Sequence, residues 1–342
     1  MISIIDPHIH LFDRSHGEYA WLKCLPTEHA RKIARDFGPA DIQLKAPFKL
    51  EALVHIEAGF DNERPWRELE NIERKLATYA HSTISADASC NKPLELSPLS
   101  AKTHNQGLAP QRIALKSAGC IDLTERPAVF ARTLTKLLNH RSLAALRHIL
   151  DDDAVATLQH PNTLSNLAQL SNSKTCVRKQ GIESGLLFEL QMNVSDSHAV
   201  DALVGILYRL PNLEVVLNHA GFAPIGGGHA NLGLLNKMQW QLNLARLSAL
   251  PNLFIKCSGW EMTSNGQSTP SYNDSDLVSV IQHVIACFGA QRIMFASNFP
   301  LVRYEYEYQA YWMMMSRLAR RCNLDVEQVC FENAKRIYNI AL

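Results

Sequence analysis

Short runs of Ile, Val, Leu and Ala recur along the chain, separated by longer stretches with the three-to-four-residue apolar spacing of an amphipathic helix. The runs predict strands at Ile2–His10, Leu50–Ala58, Ala118–Asp122, Ala145–Leu150, Gly185–Met192, Leu213–His219, Leu253–Ser258 and Arg292–Asn298. The amphipathic stretches predict helices at Trp66–Ala80, Pro127–Asn139, Ser197–Leu210, Leu235–Ala249, Asp276–Phe288, Glu305–Cys322 and Val326–Tyr338. Strands alternating with helices imply a parallel sheet. Eight such units imply an α/β chain folded as a (β/α)8 TIM-like barrel. A doubly wound open sheet is the rival, but no Gly-rich phosphate loop follows the first strand. Gly226-Gly227-Gly228 lacks that spacing and reads as a flexible loop. Two stretches read as insertions: 21–49, carrying Pro26, Gly38 and Pro39, and the polar 87–111, carrying Pro93, Pro98 and Pro110. With no boundary visible between them, residues 1–342 are read as one barrel domain.

A barrel strand is covered on both faces and should be apolar throughout. The polar exceptions near the strand ends are therefore informative. The first strand ends in Asp6-Pro7-His8-Ile9-His10. Alternate side chains share a face, so His8 and His10 aim the same way. On the second strand His55 and Glu57 alternate with Val54, Ile56 and Ala58, and are expected to face the lumen. Arg147 and His148 interrupt the fourth, and Glu189 and Gln191 share one face of the fifth. The sixth ends at His219, the seventh offers Lys256 and Ser258, and the eighth ends at Asn298. Burying such groups without partners costs on the order of a few kcal/mol each. One alone reads first as a satisfied structural group; polar endings on six strands beyond the first read as a catalytic cup. Such a cup suits hydrolysis. Neutral imidazoles bind a divalent metal and bring its bound water to a pKa of about 7, or they hydrogen-bond a carbonyl and its oxyanion. Arg147 or Lys256 could hold a substrate carboxylate. For Arg147 the structural alternative is an ion pair with Glu57 or Glu189.

Composition narrows the field. Hydrophobic residues make up 46% and charged residues 20%, the balance of a globular chain with a sizeable core. Net charge is +1 and no basic run occurs, which gives no electrostatic reason to expect nucleic acid. Eight cysteines are scattered without a C-x-x-C pair, which suits free thiols in a reducing compartment. No apolar run is long enough to cross a bilayer, and the histidine pair begins too early to leave room for a signal peptide, so a cytoplasmic location without a membrane partner is expected. The expected partner is a small-molecule substrate. Trp312-Met313-Met314-Met315 offers a homo-oligomer interface, although a buried helix face is the more economical reading.

The ordered set of motifs resembles the amidohydrolase superfamily, and within it the amidohydrolase-related group that holds sugar-acid lactonases and 2-pyrone-4,6-dicarboxylate lactonase. The matching pieces are Asp-Pro-His-Ile-His-Leu-Phe-Asp at 6–13, Leu-Val-His-Ile-Glu-Ala at 53–58, Leu-Arg-His-Ile-Leu at 146–150 and Leu-Leu-Phe-Glu-Leu-Gln at 186–191. They continue with Val-Leu-Asn-His-Ala-Gly at 216–221, Lys-Cys-Ser-Gly at 256–259, Met-Phe-Ala-Ser-Asn-Phe-Pro at 294–300 and Asn-Ala-Lys-Arg-Ile-Tyr at 333–338. The resemblance implies that His8, His10 and His219 form the reacting site and that Arg147 contacts substrate or shapes the cup. The polar strand ends add Glu57 and Asn298 as candidates for catalysis, and His55, Glu189, Gln191 and Lys256 as candidates beside the substrate. In the family the eighth strand usually ends in Ser-Asp-(Trp/Phe)-Pro, where the Asp activates water and ligates metal if one is present. Position 298 is Asn here, and a carboxamide has no useful basicity. Many members carry a metal-ligating His on the fifth strand, where this chain has Glu189. One divalent ion (zinc or manganese) on His8 and His10, with His219, and a metal-free site both stay open. So do three activities: hydrolysis of a lactone or similar cyclic ester of a small carboxylated or sugar-acid substrate, with the base role moved to Glu57, Glu189 or a histidine; decarboxylation, as elsewhere in the superfamily; and ligand binding without catalysis.

Overall fold

The computed structural model describes residues 1–88, 113–173, 185–225, 230–263 and 272–342. In chain order the main elements are β1 (Ile2–Ile9), α1 (Thr27–Ile33), β2 (Phe48–Ile56), α2 (Trp66–Ala88), β3 (Ala114–Cys120), α3 (Pro127–Leu138), β4 (Leu143–Ile149), α4 (Ala154–Gln159) and α5 (Thr163–Ser171). There follow β5 (Leu187–Gln191), α6 (Ser197–Arg209), β6 (Val215–Leu217), α7 (Ala230–Ser248), β7 (Leu253–Cys257), α8 (Asp274–Phe288), β8 (Ile293–Phe295), α9 (Tyr308–Arg321) and α10 (Asn333–Ile337). The strands form one sheet in the order β1 to β8, each parallel to the next. One parallel bridge, Ile9 to Phe299, brings the ends of the sheet together. There the His10 N–H donates to the Phe299 carbonyl at 2.6 Å. The architecture is the (β/α)8 barrel.

All eight strands lie where the hydrophobic runs predict them, within a few residues. β3 starts earlier than expected because Lys116 and Ser117 break its apolar run, although Ser117 is buried inside the sheet. The insertion at 21–49 holds α1 and runs into the start of β2. Neither α4 nor α5 was expected; both are too short for an apolar period to repeat. α2 extends to Ala88, while residues 89–111 of the second insertion and the Gly226–Gly228 loop lie outside the described residues. Of the Trp312–Met315 run, only Met313 is exposed, and the other three pack into the core. No helix among the described residues is long and apolar enough to cross a membrane.

The core has two parts. The larger lies between the strands and the surrounding helices. The smaller fills the lumen with Ile5, Ala52, Val54, Ile56, Ala118, Ala145, Leu187, Val216, Phe254 and Met294. Phe331, Ala334, Ile337, Tyr338 and Ile340 of the C-terminal segment complete it from the lower, N-terminal end of the strands. The upper half of the lumen is thereby left to the polar residues.

Asp6 holds the β1–β8 seam. Its Oδ1 accepts the backbone N–H groups of His8 (3.2 Å) and Ser297 (3.1 Å), and its Oδ2 accepts the Tyr308 hydroxyl of α9 (3.0 Å). Burial pushes its carboxyl up to about 6, against the hydrogen bonds that favour the anion. Asp6→Ala leaves several of these donors without a partner and is expected to cost on the order of 3 kcal/mol, against about 1 kcal/mol for Tyr308→Phe. Urea denaturation of the two variants checks this; equal costs would remove Asp6 from its place at the seam.

Candidate active site

Strand parity carries the cup upward from the apolar lumen. Ala145 precedes Arg147, Leu187 precedes Glu189 and Gln191, and Phe254 precedes Lys256 and Ser258, each series on one face of its strand. β1 reaches the same level through two slips in its register with β2, one between Ile4 and Ile5 and one between Asp6 and Ile9. β2 departs from expectation. Val54 and Ile56 line the lumen, so His55 points outward. Its Nε2 lies 3.1 Å from Glu68 of α2 and its Nδ1 accepts the Leu11 N–H. His55 therefore ties β1 and β2 to α2 and lies outside the cup; the alternation of its strand was read one residue out of phase. Glu57, just past the strand, does reach the cup.

The structure brings His8, His10 and His219 together. The His8 ring centroid lies 5.0 Å from that of His10 and 4.7 Å from that of His219. Backbone turns in the left-handed region deliver the late residues: φ is +53° at His219 and +58° at Asn298. Gly259, at φ +70°, lets the His219 ring pass; a Cβ there would lie 2.5 Å from His219 Nδ1. Partners assign the ring protons. His10 Nδ1 sits 2.9 Å from the Ile56 carbonyl, which can only accept, so the lone pair of its neutral ring is on Nε2. His8 Nδ1 lies 3.4 Å from the Lys256 ammonium, which can only donate, so its proton is on Nε2. That Nε2 is buried and has no hydrogen-bond partner among the described residues. His219 Nδ1 pairs with the Ser258 hydroxyl at 3.0 Å. Burial holds all three imidazoles well below their ordinary range; Lys256 beside His8, and Arg147 beside His10 and His219, push the same way. The rings are neutral at physiological pH, and a proton gained there is opposed by Arg147 at all three and by Lys256 at His8 and His219.

The charged residues of the cup are already engaged. Arg147 Nε donates to Glu57 Oε1 at 2.7 Å, one terminal nitrogen donates to the Glu57 carbonyl at 2.8 Å, and the other to Gln191 at 3.3 Å. The pairing with Glu57 weighed from sequence is the one formed. A guanidinium has five N–H groups, so two remain for a ligand. Gln191 is held at its other end by Asp151. Lys256 is fully buried; its ammonium spans both Glu189 oxygens, at 2.8 and 2.7 Å, and is pushed down to about 8 by burial despite that carboxylate. Glu189 also accepts the Tyr338 hydroxyl from the C-terminal segment. Lys256 and Glu189 thus underlie His8 instead of facing the cavity.

One group at the cup carries no role in the sequence reading. Glu261, in the short turn after β7, is buried and takes the Asn298 Nδ2–H at 2.6 Å on its Oε1. Burial pushes its carboxyl up to about 8. The signal was present: Glu261 lies two residues beyond the Lys-Cys-Ser-Gly motif. Tyr338 closes the 333–338 motif, but its partner Glu189 was not anticipated, because nothing local connects the C-terminal segment to the fifth strand.

Above these residues opens a cavity of about 360 Å³. His10, His219, Arg147, Glu57, Gln191 and Asn298 line it, with His148, Trp21, Met262 and Leu301 on the walls. The volume suits a small molecule. The donor set does not suit a held metal ion. Among the described residues no three His, Cys, Asp or Glu side chains are arranged to hold a metal ion, and the Lys256 contact leaves His8 Nε2 protonated and without a lone pair to give.

Residues 183–340 match the family described as Amidohydrolase. The chain is 23% identical to the L-fucono-1,5-lactonase of Burkholderia ambifaria over 87% of this chain and 81% of the relative. A Burkholderia multivorans amidohydrolase crystallised with bound zinc superposes with a TM-score of 0.67 at 18% identity, over 99% of each chain. A 2-pyrone-4,6-dicarboxylic acid hydrolase structure from Pseudomonas putida superposes with a TM-score of 0.57 at 16% identity, over 100% of this chain and 99% of that one. At these identities the superpositions show a shared barrel.

Two outcomes follow from this geometry. Gly259→Ala forces a methyl group into the His219 ring at an unfavourable φ and is expected to cost about 1–3 kcal/mol, read by chemical denaturation; an unaltered midpoint would mean that the ring moves aside freely. Glu261 keeps its proton in the native state at pH values where the unfolded chain has released it, so its contribution opposes folding increasingly as pH rises from about 4.5 to about 8. Glu261→Gln should therefore raise the melting temperature more at pH 8.5 than at pH 5, and an equal shift at both would contradict the burial of an ionisable group.

Proposed function

We propose that the protein hydrolyses a lactone or similar cyclic ester of a small carboxylated acid, without a resident metal. The observation that carries this reading is the meeting of three neutral imidazoles, two of them, His10 and His219, lining a cavity whose wall also carries a partly engaged guanidinium. An ester carbonyl becoming an oxyanion in this cavity would be stabilised by the N–H groups of Arg147 on its wall. The His10 Nε2 lone pair can take a hydrogen bond from the attacking water. The two remaining N–H groups of Arg147 can take a substrate carboxylate. The lactonase relative supports a cyclic ester as substrate class.

The test is a panel of sugar-acid and dicarboxylate lactones read with a pH indicator. Turnover of at least one is expected, with His219→Ala lowering kcat/KM by about 100-fold or more. Failure of the wild-type protein on the whole panel would sink the reading. Dialysis against a chelator is expected to change the rate by less than about twofold, because the cup stabilises charge with N–H donors; loss of activity restored by zinc or manganese would require a different role for His8.

A further inference from the structure

The reaction needs a place for the proton that the attacking water releases. The imidazoles are poor acceptors, being buried between two cations. Glu57 is held by Arg147, and Glu189 by Lys256 and Tyr338. Among the described residues the remaining buried carboxyl group beside the cup is Glu261, which lies behind Asn298 and faces none of their cations. Its charged and titratable neighbours are Glu305, Tyr272, Tyr304 and Tyr311. Asn298 is in the wall of the cavity, and its backbone sits at a φ that asparagine tolerates well. Asn298 Nδ2–H donates to Glu261 Oε1, which leaves Asn298 Oδ1 to accept.

Resting on the hydrolytic reading above, we propose that Asn298 and Glu261 form a single proton-accepting unit, in which Glu261 supplies the carboxylate that position 298 lacks and the Asn298 amide conducts the proton to it. As water adds to the ester carbonyl, an O–H bond of the water breaks and a proton joins Asn298 Oδ1. An Nδ2–H bond breaks in concert, and that proton joins the ionised Glu261 Oε1. The carbonyl π pair becomes the oxyanion. When the tetrahedral species collapses, the ring C–O bond breaks and the departing oxygen takes the proton back along the reverse path. The amide and the carboxylate are regenerated and the product is the hydroxy acid. Glu261 is a positioning and proton-storing residue: Asn298 lies between it and the substrate.

Two arms test this, the first independent of any substrate. Protein labelled with ¹⁵N at asparagine should show the Asn298 side-chain NH₂ signals, identified by their loss in Asn298→Asp, shifting with one inflection between about pH 6.5 and 9.5, around the value to which burial raises Glu261. Glu261→Gln should flatten that curve. Absence of the inflection in the wild-type protein overturns the proposal whether or not any lactone is turned over. The second arm is kinetic. Glu261→Gln should lower kcat by about 100-fold at near-constant KM and remove the rising limb of the pH–rate profile, as expected for loss of general-base assistance. A carboxylate placed directly at 298 bypasses the relay, so adding Glu261→Gln to Asn298→Asp should cost less than about threefold, against that 100-fold in the wild-type background. Equal losses in both backgrounds assign Glu261 a purely structural role and overturn the relay. If the inflection is present but no lactone is hydrolysed by any form, the lactone reading falls while the coupled unit stands.

Discussion

A lysine ammonium with no exposed surface lies under the site, and the arrangement above it depends on how that charge is balanced. Removing an ammonium from water costs several kcal/mol unless partners replace the lost hydration. Lys256 finds them in both oxygens of Glu189, itself capped by the Tyr338 hydroxyl. The remaining ammonium contact is His8 Nδ1. The C-terminal segment, a buried ion pair and the first-strand histidine thus form one connected series along the barrel axis. One result is electrostatic, since the cation beneath keeps His8 neutral. The other is tautomeric, since the donor beneath leaves the upper nitrogen carrying hydrogen.

The same series divides the barrel lumen. Below Lys256 the interior is apolar and closed by Phe331, Ile337 and Ile340. Above it the inward faces of β1 and β4 to β8 turn polar, and β6 and β8 soon stop running as regular strand. β6 and β8 are three residues long and give way to left-handed residues that carry His219 and Asn298 into the cup. Such conformations cost about 1–3 kcal/mol where the surroundings must hold them in place. Here the surroundings are the packed shell of helices and the Asp6 seam.

Carboxylates separate this cup from a metal centre. Two of them neutralise cations, one holds the β1–β8 seam and one lies behind an amide. The cup surface is then a set of neutral or cationic hydrogen-bond donors with an amide oxygen and an imidazole lone pair as acceptors.

The barrel itself was legible in the sequence, because strand and helix periods are local properties and eight alternations leave few ways to close a parallel sheet. The residue types of the cup were legible as well, since a polar side chain at the end of an apolar strand must find a partner somewhere. Pairing was not. Whether Arg147 met Glu57 or Glu189, and whether His55 faced the lumen or α2, depended on register and twist, and a slip of one residue reverses a face. Glu261 and Tyr338 acquired their importance only in three dimensions. The first approaches Asn298 across 37 residues and the second approaches Glu189 across 149, distances that no local pattern spans. Local periodicity determined the scaffold and the chemical inventory, and tertiary packing decided which groups stayed free to act, because a buried charge takes whichever partner the fold brings within reach.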